Sequence, residues 1–249
     1  MRIHFPLKQF ADLVFLTCGL GGGTGTGAIP ILAEVSKRLG ALTIAIVTLP
    51  FSMEGNLRMK NANIGLKNLE KHADSVVVIP NDALLEINPN LPVTKAFELT
   101  DSTLINAVVS LADITKNSGL VNVDLADLRT VLEESGYALI SVSTAEGDNR
   151  ALDAVERALN SPMLYRDISS ATGALINIWS GSSLKISEAK IIIERISKEL
   201  SNDAQIIWGT RVDESLNNKI KVIIIISGLD AKEKSIEIEK TEDDTLKEE

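Results

Sequence analysis

Between residues 21 and 27 the chain reads Gly21-Gly22-Gly23-Thr24-Gly25-Thr26-Gly27, five glycines in seven positions. Glycine loses more backbone entropy on ordering than any other residue. A run this dense therefore marks a backbone that must take positive φ or that something approaches closely. Upstream, Leu13–Cys18 is an apolar run that predicts a buried strand. Downstream, Ala28–Val35 predicts a helix with Pro30 in its first turn. A strand, a glycine loop and a helix N-terminus together make an anion site, because free amides and the positive end of the helix dipole converge on one point. The hydroxyls of Thr24 and Thr26 add donors, and the occupant this chemistry suits is a nucleotide phosphate.

The chain continues in the same alternation. Leu42–Val47 and Ser75–Ile79 predict two more short strands, apolar throughout, with a helix over Gly55–Lys71 between them that Gly65 weakens. Uninterrupted apolar strands separated by helices indicate a parallel sheet covered on both faces. Ligands of such sheets sit beyond the carboxyl ends of the strands, where the glycine loop, the segment after Pro50 and the turn Pro80-Asn81-Asp82 all fall. Val93–Asn117 predicts one long helix, and a second helix follows the Asn122–Asp124 turn. Beyond Gly136 come strands at Tyr137–Val142, Ala174–Trp179, Gln205–Gly209 and Lys219–Ser227, interleaved with helices at Asn149–Asn160 and Ser187–Leu200. The expected organisation is a first unit over 1–117, a loop and helix over 118–135, a smaller α+β unit over 136–230 and a disordered acidic tail over 231–249.

Composition narrows the function classes. The net charge of -9 with no basic stripe argues against a nucleic-acid surface. Cys18 is the single cysteine, which excludes a disulfide framework and points to a reducing compartment. No run reaches membrane-spanning length and Met1–Phe10 lacks a signal-peptide core, so a cytoplasmic protein without direct membrane insertion is expected. His4 and His72 have no neighbours at ligand spacing, and no metal site is expected from side chains. Trp179 and Trp208 fall in strands and are expected in the core.

Three kinds of phosphate loop compete. A P-loop ends in Gly-Lys-Ser/Thr, but the first lysine after the loop is Lys37. A dinucleotide fingerprint can be laid on Gly23-x-Gly25-x-x-Ala28, yet Leu42–Val47 carries no acid to hold a ribose hydroxyl; a nicotinamide-dependent dehydrogenase remains an alternative. The third kind fits as written. Gly21–Gly27 resembles the signature loop of the tubulin/FtsZ family, and the FtsZ branch of that family matches from about Ala11 to Asp230. Pro50-Phe51-Ser52-Met53-Glu54-Gly55 with Arg58 resembles its nucleotide-contacting segment, and Ile79-Pro80-Asn81-Asp82 its sugar-side loop. Ala96-Phe97 with Asp101 resembles the start of its central helix. Gly119-Leu120-Val121-Asn122-Val123-Asp124-Leu125-Ala126-Asp127 resembles its catalytic interdomain loop. Ser161–Leu164 and Ala171–Ile178 match its C-terminal domain.

The resemblance implies a GTP/GDP site in which Gly21, Gly22, Gly23, Thr24, Gly25, Thr26 and Gly27 wrap the phosphates. Glu54 and Arg58 would contact ribose or phosphate, Asn81 the sugar side, and Phe97 and Asp101 the guanine; Mg²⁺ is expected with the nucleotide. From the residues alone, Glu54 and Arg58 also suit a helix ion pair four residues apart, and Asp101 a solvated acid beside a core phenylalanine. Asp124, Asp127 and Asn122 would supply the catalytic end. About twenty helical residues separate that end from Phe97 and Asp101, roughly 30 Å at 1.5 Å per residue. Such acids reach only the nucleotide of a neighbouring subunit, so the resemblance implies hydrolysis in head-to-tail filaments of the division ring. Asp124 also suits the N-cap of the helix that follows it.

One departure from the family shapes the expectation. The family places a further glycine-rich phosphate loop and additional strand–helix units before the residues matching Ala11, and Met1–Phe10 contains neither. The expected fold is thus a partial Rossmann-like GTPase domain with Leu13–Cys18 left as a bare apolar edge. Two functions follow: a GTP-hydrolysing subunit that polymerises with itself or with a full-length FtsZ, or a filament cap or regulator without its own GTPase activity. Either would work at the cytoplasmic division site, with a membrane-anchor adaptor as a further expected partner.

Overall fold

The structure is a computed structural model that describes residues 11–87, 90–116 and 124–229. Its elements run β1 (Leu13–Gly19), α1 (Thr24–Arg38), β2 (Leu42–Leu49), α2 (Asn56–Leu69), β3 (Ser75–Pro80), α3 (Asn81–Ile87) and the long α4 (Val93–Lys116). There follow α5 (Leu125–Leu132), β4 (Gly136–Ala145), α6 (Arg150–Leu159), β5 (Gly173–Ser180), α7 (Ile186–Ser197), β6 (Gln205–Val212) and β7 (Ile220–Ser227).

Among the described residues all the strands join one seven-stranded sheet in the order β1-β2-β3-β4-β7-β5-β6. β1 to β4 are mutually parallel, and β7 runs antiparallel to both β4 and β5. The sheet passes from the first unit to the second through the short β3–β4 pairing, Ser75 opposite Gly136. On one face lie α1, α2, α6 and α7. On the other a single core runs from Leu42, Ile44 and Ile46 through Leu111 of α4 and Leu128 of α5 to Leu175 and Trp179 of β5. Cover on both faces is why β2, β3 and β5 are buried along their whole length and read as continuous apolar runs. β1 and β6 form the two edges, and β1 is half-exposed, as expected for a strand paired on one side only.

Two local features differ from expectation. α1 begins at Thr24 rather than Ala28, capped by Gly23, so the second half of the glycine run is already helical and Pro30 lies a turn deeper. Pro80-Asn81-Asp82 does not merely stop β3. Asn81 opens α3 directly, with Asp82 in the first turn, where the helix dipole favours an acid. Gly65 also has a specific cause. A Cβ there would stand 2.3 Å from Thr26 Cγ2, so its absence lets α2 pack directly against the first turn of α1. The tail over 231–249 and Met1–Phe10 lie outside the described residues, and among the described residues no helix is long and apolar enough to cross a membrane.

Candidate functional site

β1, β2 and β3 end almost flush, Gly19 opposite Thr48 and Thr48 opposite Ile79, so the segments that follow them meet at one end of the sheet. Leu20 donates its N–H to Thr48 O, which turns the chain into the glycine run. Gly21 has φ +101, and a Cβ there would lie 2.9 Å from Arg58 O; both the backbone and its neighbour require glycine. Gly25 is packed against Cys18 and Gly19 O, with 3.1 Å to each from an added Cβ. The other three glycines behave differently. Among the described residues, a Cβ at Gly22, Gly23 or Gly27 would meet no atom beyond its own chain neighbours and helix within 4 Å, and none of the three has positive φ. Nothing among the described residues demands glycine at these positions.

The helix start leaves the N–H groups of Thr24, Gly25 and Thr26 without intrahelical partners, while Gly27 N–H bonds to Gly23 O at 3.0 Å. No acid occupies this first turn. Thr26 has a task inside the loop, because its Oγ1 accepts from Gly21 N–H at 2.9 Å and holds the run closed. Thr24 is exposed and turned to solvent with Gly22 and Gly23. Beneath the loop, burial pushes the Cys18 thiol up to about 11, so it stays protonated and unreactive at neutral pH.

The flanking segments are tied to one another. Glu54 accepts from Phe51 N–H at 2.8 Å and pairs with Arg58, the ion pair that the spacing alone allowed. Ser52 N–H donates to Asp82 Oδ1 at 3.0 Å, linking the segment after β2 to that after β3. Asn81 is buried, and its Oδ1 has no hydrogen-bond partner among the described residues. Phe97, on the exposed side of α4 one turn before Asp101, meets the buried Phe51 edge-to-face with ring centroids 5.1 Å apart. The glycine run, Glu54, Arg58, Asn81 and Phe97 are thus brought to one region. The packing of Phe51 on Phe97 and the Ser52–Asp82 link have no local signal in the sequence, since both are contacts between distant segments.

Asp124 and Asp127 stand elsewhere. Asp124 Oδ1 accepts from Asp127 N–H and Asp127 Oδ2 from Asp124 N–H, both at 2.9 Å, a reciprocal cap on α5. α5 is fixed at the amino ends of β1 and β2, because Arg129 donates to Asp12 O at 3.3 Å and Gly40 O at 3.2 Å. The acids and the glycine run therefore sit at opposite ends of the strands, separated by at least the length of β1, about 20 Å at ~3.3 Å per residue. Asn122 lies outside the described residues. Among the described residues no group of three or more His, Cys, Asp or Glu side chains is placed to hold a metal ion.

Comparison with known proteins agrees with this geometry. Residues 7–89 match the GTPase domain of the tubulin/FtsZ family, and residues 136–230 match the C-terminal domain of the FtsZ family. The chain is 50% identical over 219 residues to cell division protein FtsZ 1 of Thermococcus kodakarensis, covering 88% of this chain and 58% of that protein. It is 49% identical over 224 residues to cell division protein FtsZ 1 of Methanocaldococcus jannaschii, covering 90% and 62%. An FtsZ structure from M. jannaschii, the W319Y mutant, superposes with a TM-score of 0.86 at 48% identity over 90% of this chain and 68% of that one. CetZ1 of Haloferax volcanii, at 22% identity, shares the fold with a TM-score of 0.74. The chain thus spans about three-fifths of the length of these curated relatives. With a fold, a glycine loop and both domain matches in agreement, the chain belongs to the tubulin/FtsZ family.

Proposed function

We propose that this chain is a GTP-binding subunit of a cell-division filament, with the phosphates of GTP or GDP held at the carboxyl ends of β1–β3. The observation that carries the reading is the unexplained glycine set. Gly22, Gly23 and Gly27 are required by neither backbone nor packing among the described residues, and they border first-turn helix amides that have no intrahelical partner. An anion lying against that bare backbone accounts for both. Gly21 and Gly25 shape the loop, and the hydroxyls of Thr24 and Thr26 donate to phosphate oxygens. Asn81, Glu54 and Arg58 bound the sugar side. Phe97 offers an aromatic face to the base, and the Asp101 carboxylate accepts from guanine N1–H and the 2-amino group, a donor pair adenine lacks. A Mg²⁺ accompanying GTP takes its ligands from phosphate and water, as this hard cation does elsewhere.

Hydrolysis then needs a second copy. Asp124 and Asp127 each use one carboxylate oxygen in the α5 cap, which leaves the other to polarise water in line with the γ-phosphate of a neighbour. Site at one end and acids at the other make a heterologous contact that does not close, and such contacts propagate into filaments. A filament regulator is not favoured, since the identity to named FtsZ proteins covers 88% of the chain.

The test is thermal unfolding of the whole chain with guanine and adenine nucleotides. A ligand at about 100 times its Kd stabilises by about 2.7 kcal/mol, and Tm rises accordingly. GTP and GDP are expected to raise Tm and ATP to leave it unchanged. Equal shifts with ATP, or none with GTP at millimolar concentration, would overturn the reading.

A further inference from the structure

The two units of the sheet meet along three rungs, Ser75 opposite Gly136, Val76 opposite Tyr137 and Val77 opposite Ala138, whereas every other pair of neighbouring strands is joined along six to eight. On the face covered by α1, α2, α6 and α7, side chains from both units bridge this short join. Glu70 ends α2, Tyr137 is the second residue of β4, and Arg166 lies on the segment between α6 and β5. The Tyr137 hydroxyl donates to the Glu70 carboxylate. The Arg166 guanidinium lies over the Tyr137 ring, 4.4 Å from its centroid, and over the Tyr165 ring at 5.7 Å. Tyr137 packs on the core beneath α1 and α2, and Tyr165 on the core beneath α6 and α7. The cluster therefore touches both units.

The cluster is drawn away from water. Burial pushes the Glu70 carboxyl above its ordinary value of 4.5, although the Tyr137 hydrogen bond and the Arg166 charge act the other way. Arg166 Nε is buried with no hydrogen-bond partner among the described residues, and its charge faces the two rings and Glu70. The other end of α2 supports the glycine run. Gly21 rests on the backbone of the first turn, where an added Cβ would stand 2.9 Å from Arg58 O, and Thr26 rests on Gly65, 2.3 Å from an added Cβ there. Gly21 and Thr26 are also tied to each other, because Thr26 Oγ1 accepts from Gly21 N–H at 2.9 Å. No side chain pads either contact, and close-packed contacts of this kind transmit a shift rather than absorb it. From Arg58 to Glu70 the helix spans about 18 Å at ~1.5 Å per residue.

We propose that Glu70, Tyr137 and Arg166 latch the two units together and that α2 ties this latch to the glycine run, so that nucleotide binding at the run and closure of the β3–β4 join strengthen each other. A phosphate that fixes Gly21 and Thr26 fixes α2, and a fixed α2 holds Glu70 against Tyr137 and Arg166. The dependence is reciprocal, because two linked equilibria change each other by the same factor: whatever loosens the latch weakens the nucleotide. The coupling rests on the nucleotide reading given above, whereas the latch stands on its own contacts.

The latch is read first without nucleotide, by hydrogen exchange in the whole chain and in the whole chain carrying Arg166→Met or the milder Tyr137→Phe, which removes a single hydroxyl. Both variants are expected to exchange about tenfold faster at residues 75–77 and 136–138, with β7 (Ile220–Ser227), in the interior of the C-terminal unit, unchanged. Unchanged exchange at the join, or an equal rise in β7, would overturn the latch. The coupling is then read by titration with GDP. Both variants are expected to bind at least about fivefold more weakly than the parent, while Glu188→Ala, which disturbs the C-terminal unit at the start of α7, leaves affinity unchanged. Parental affinity in both latch variants, or an equal loss in Glu188→Ala, would overturn the coupling. A parent that binds no GDP at millimolar concentration would overturn the nucleotide reading and the coupling with it, while the exchange measurement still decides the latch.

Discussion

The two ends of the parallel strands are built to different rules. At the amino ends several polar groups are closed on one another, the buried Ser75 Oγ excepted: Asp74 accepts from Thr43 N–H at 2.8 Å and pairs with Lys37 at 2.9 Å, Arg129 binds two backbone carbonyls, and Asp124 and Asp127 cap each other. At the carboxyl ends the backbone is bare. Three glycines have no internal reason to be glycine, and the buried Asn81 Oδ1 has no partner. The difference separates a scaffold from a receptor. Buried atoms without a partner also occur away from this end, at Ser75, Trp179 and Thr210, so the contrast rests on the three glycines rather than on Asn81.

The contrast can be broken by substitutions, beginning with a reference for purely structural interactions. Arg150 is buried and bonded to both Glu188 carboxylate oxygens, to Ser183 and to Asn218 O. Glu188→Ala leaves that charge unpaired and is expected to cost about 3–5 kcal/mol in urea unfolding, with nucleotide affinity unchanged. The Arg150 hydrogen bond, first among several causes, holds the Glu188 carboxyl below its ordinary value of 4.5. A folded value below the unfolded one means the pair's stabilisation is complete above about pH 4.5 and fades as pH falls through the lower folded value. The gap between parent and variant should therefore narrow in acid.

Within the glycine run the expected effects divide. Gly21→Ala forces a side chain to φ +101 and against Arg58 O, and should destabilise by about 2–3 kcal/mol. Gly22→Ala should leave unfolding within about 0.5 kcal/mol of the parent while weakening GTP binding at least tenfold in a titration. Equal losses of stability at the two positions would erase the distinction on which the site rests.

At the amino end, Asp74→Ala strands the Thr43 N–H in the interior. It should cost about 1–3 kcal/mol with GTP affinity intact. Gly65→Ala, which helix propensity alone scores as a gain of about 1 kcal/mol, should instead destabilise by a similar amount, because its methyl collides with Thr26. Asp124→Ser, like Gly22→Ala, should have a very small effect on stability. Serine caps a helix about as well as aspartate, so unfolding should shift by less than about 0.5 kcal/mol, whereas Asp124→Ala should cost about 1 kcal/mol.

Much of this was legible in the sequence because the signals were local. Apolar runs ended by Pro50 and Pro80 located β2 and β3, and helical spacing located α4. The glycine run raised the expectation that something approaches the backbone, and the motif set named the family. What stayed hidden depends on contacts between distant segments. Asn81-Asp82 reads as a turn until the start of α3 is seen, and Gly65 reads as a weak helix position until Thr26 is found against it. The division of the glycines into two that shape the loop and three that leave it open is likewise invisible in a string where all five look alike.

The central claim is that one nucleotide is served by two molecules, and mixing tests it directly. Gly22→Leu blocks the proposed phosphate face but keeps Asp124 and Asp127, while Asp124→Ser keeps that face but lacks one of the two carboxylates proposed to act in hydrolysis. Each variant alone should hydrolyse GTP far more slowly than the parent. Their equimolar mixture should regain a substantial part of the parental rate, because the Asp124 end of one copy meets the open glycine loop of the other. Full turnover by Asp124→Ser alone, or a mixture no faster than the sum of its parts, would contradict the account.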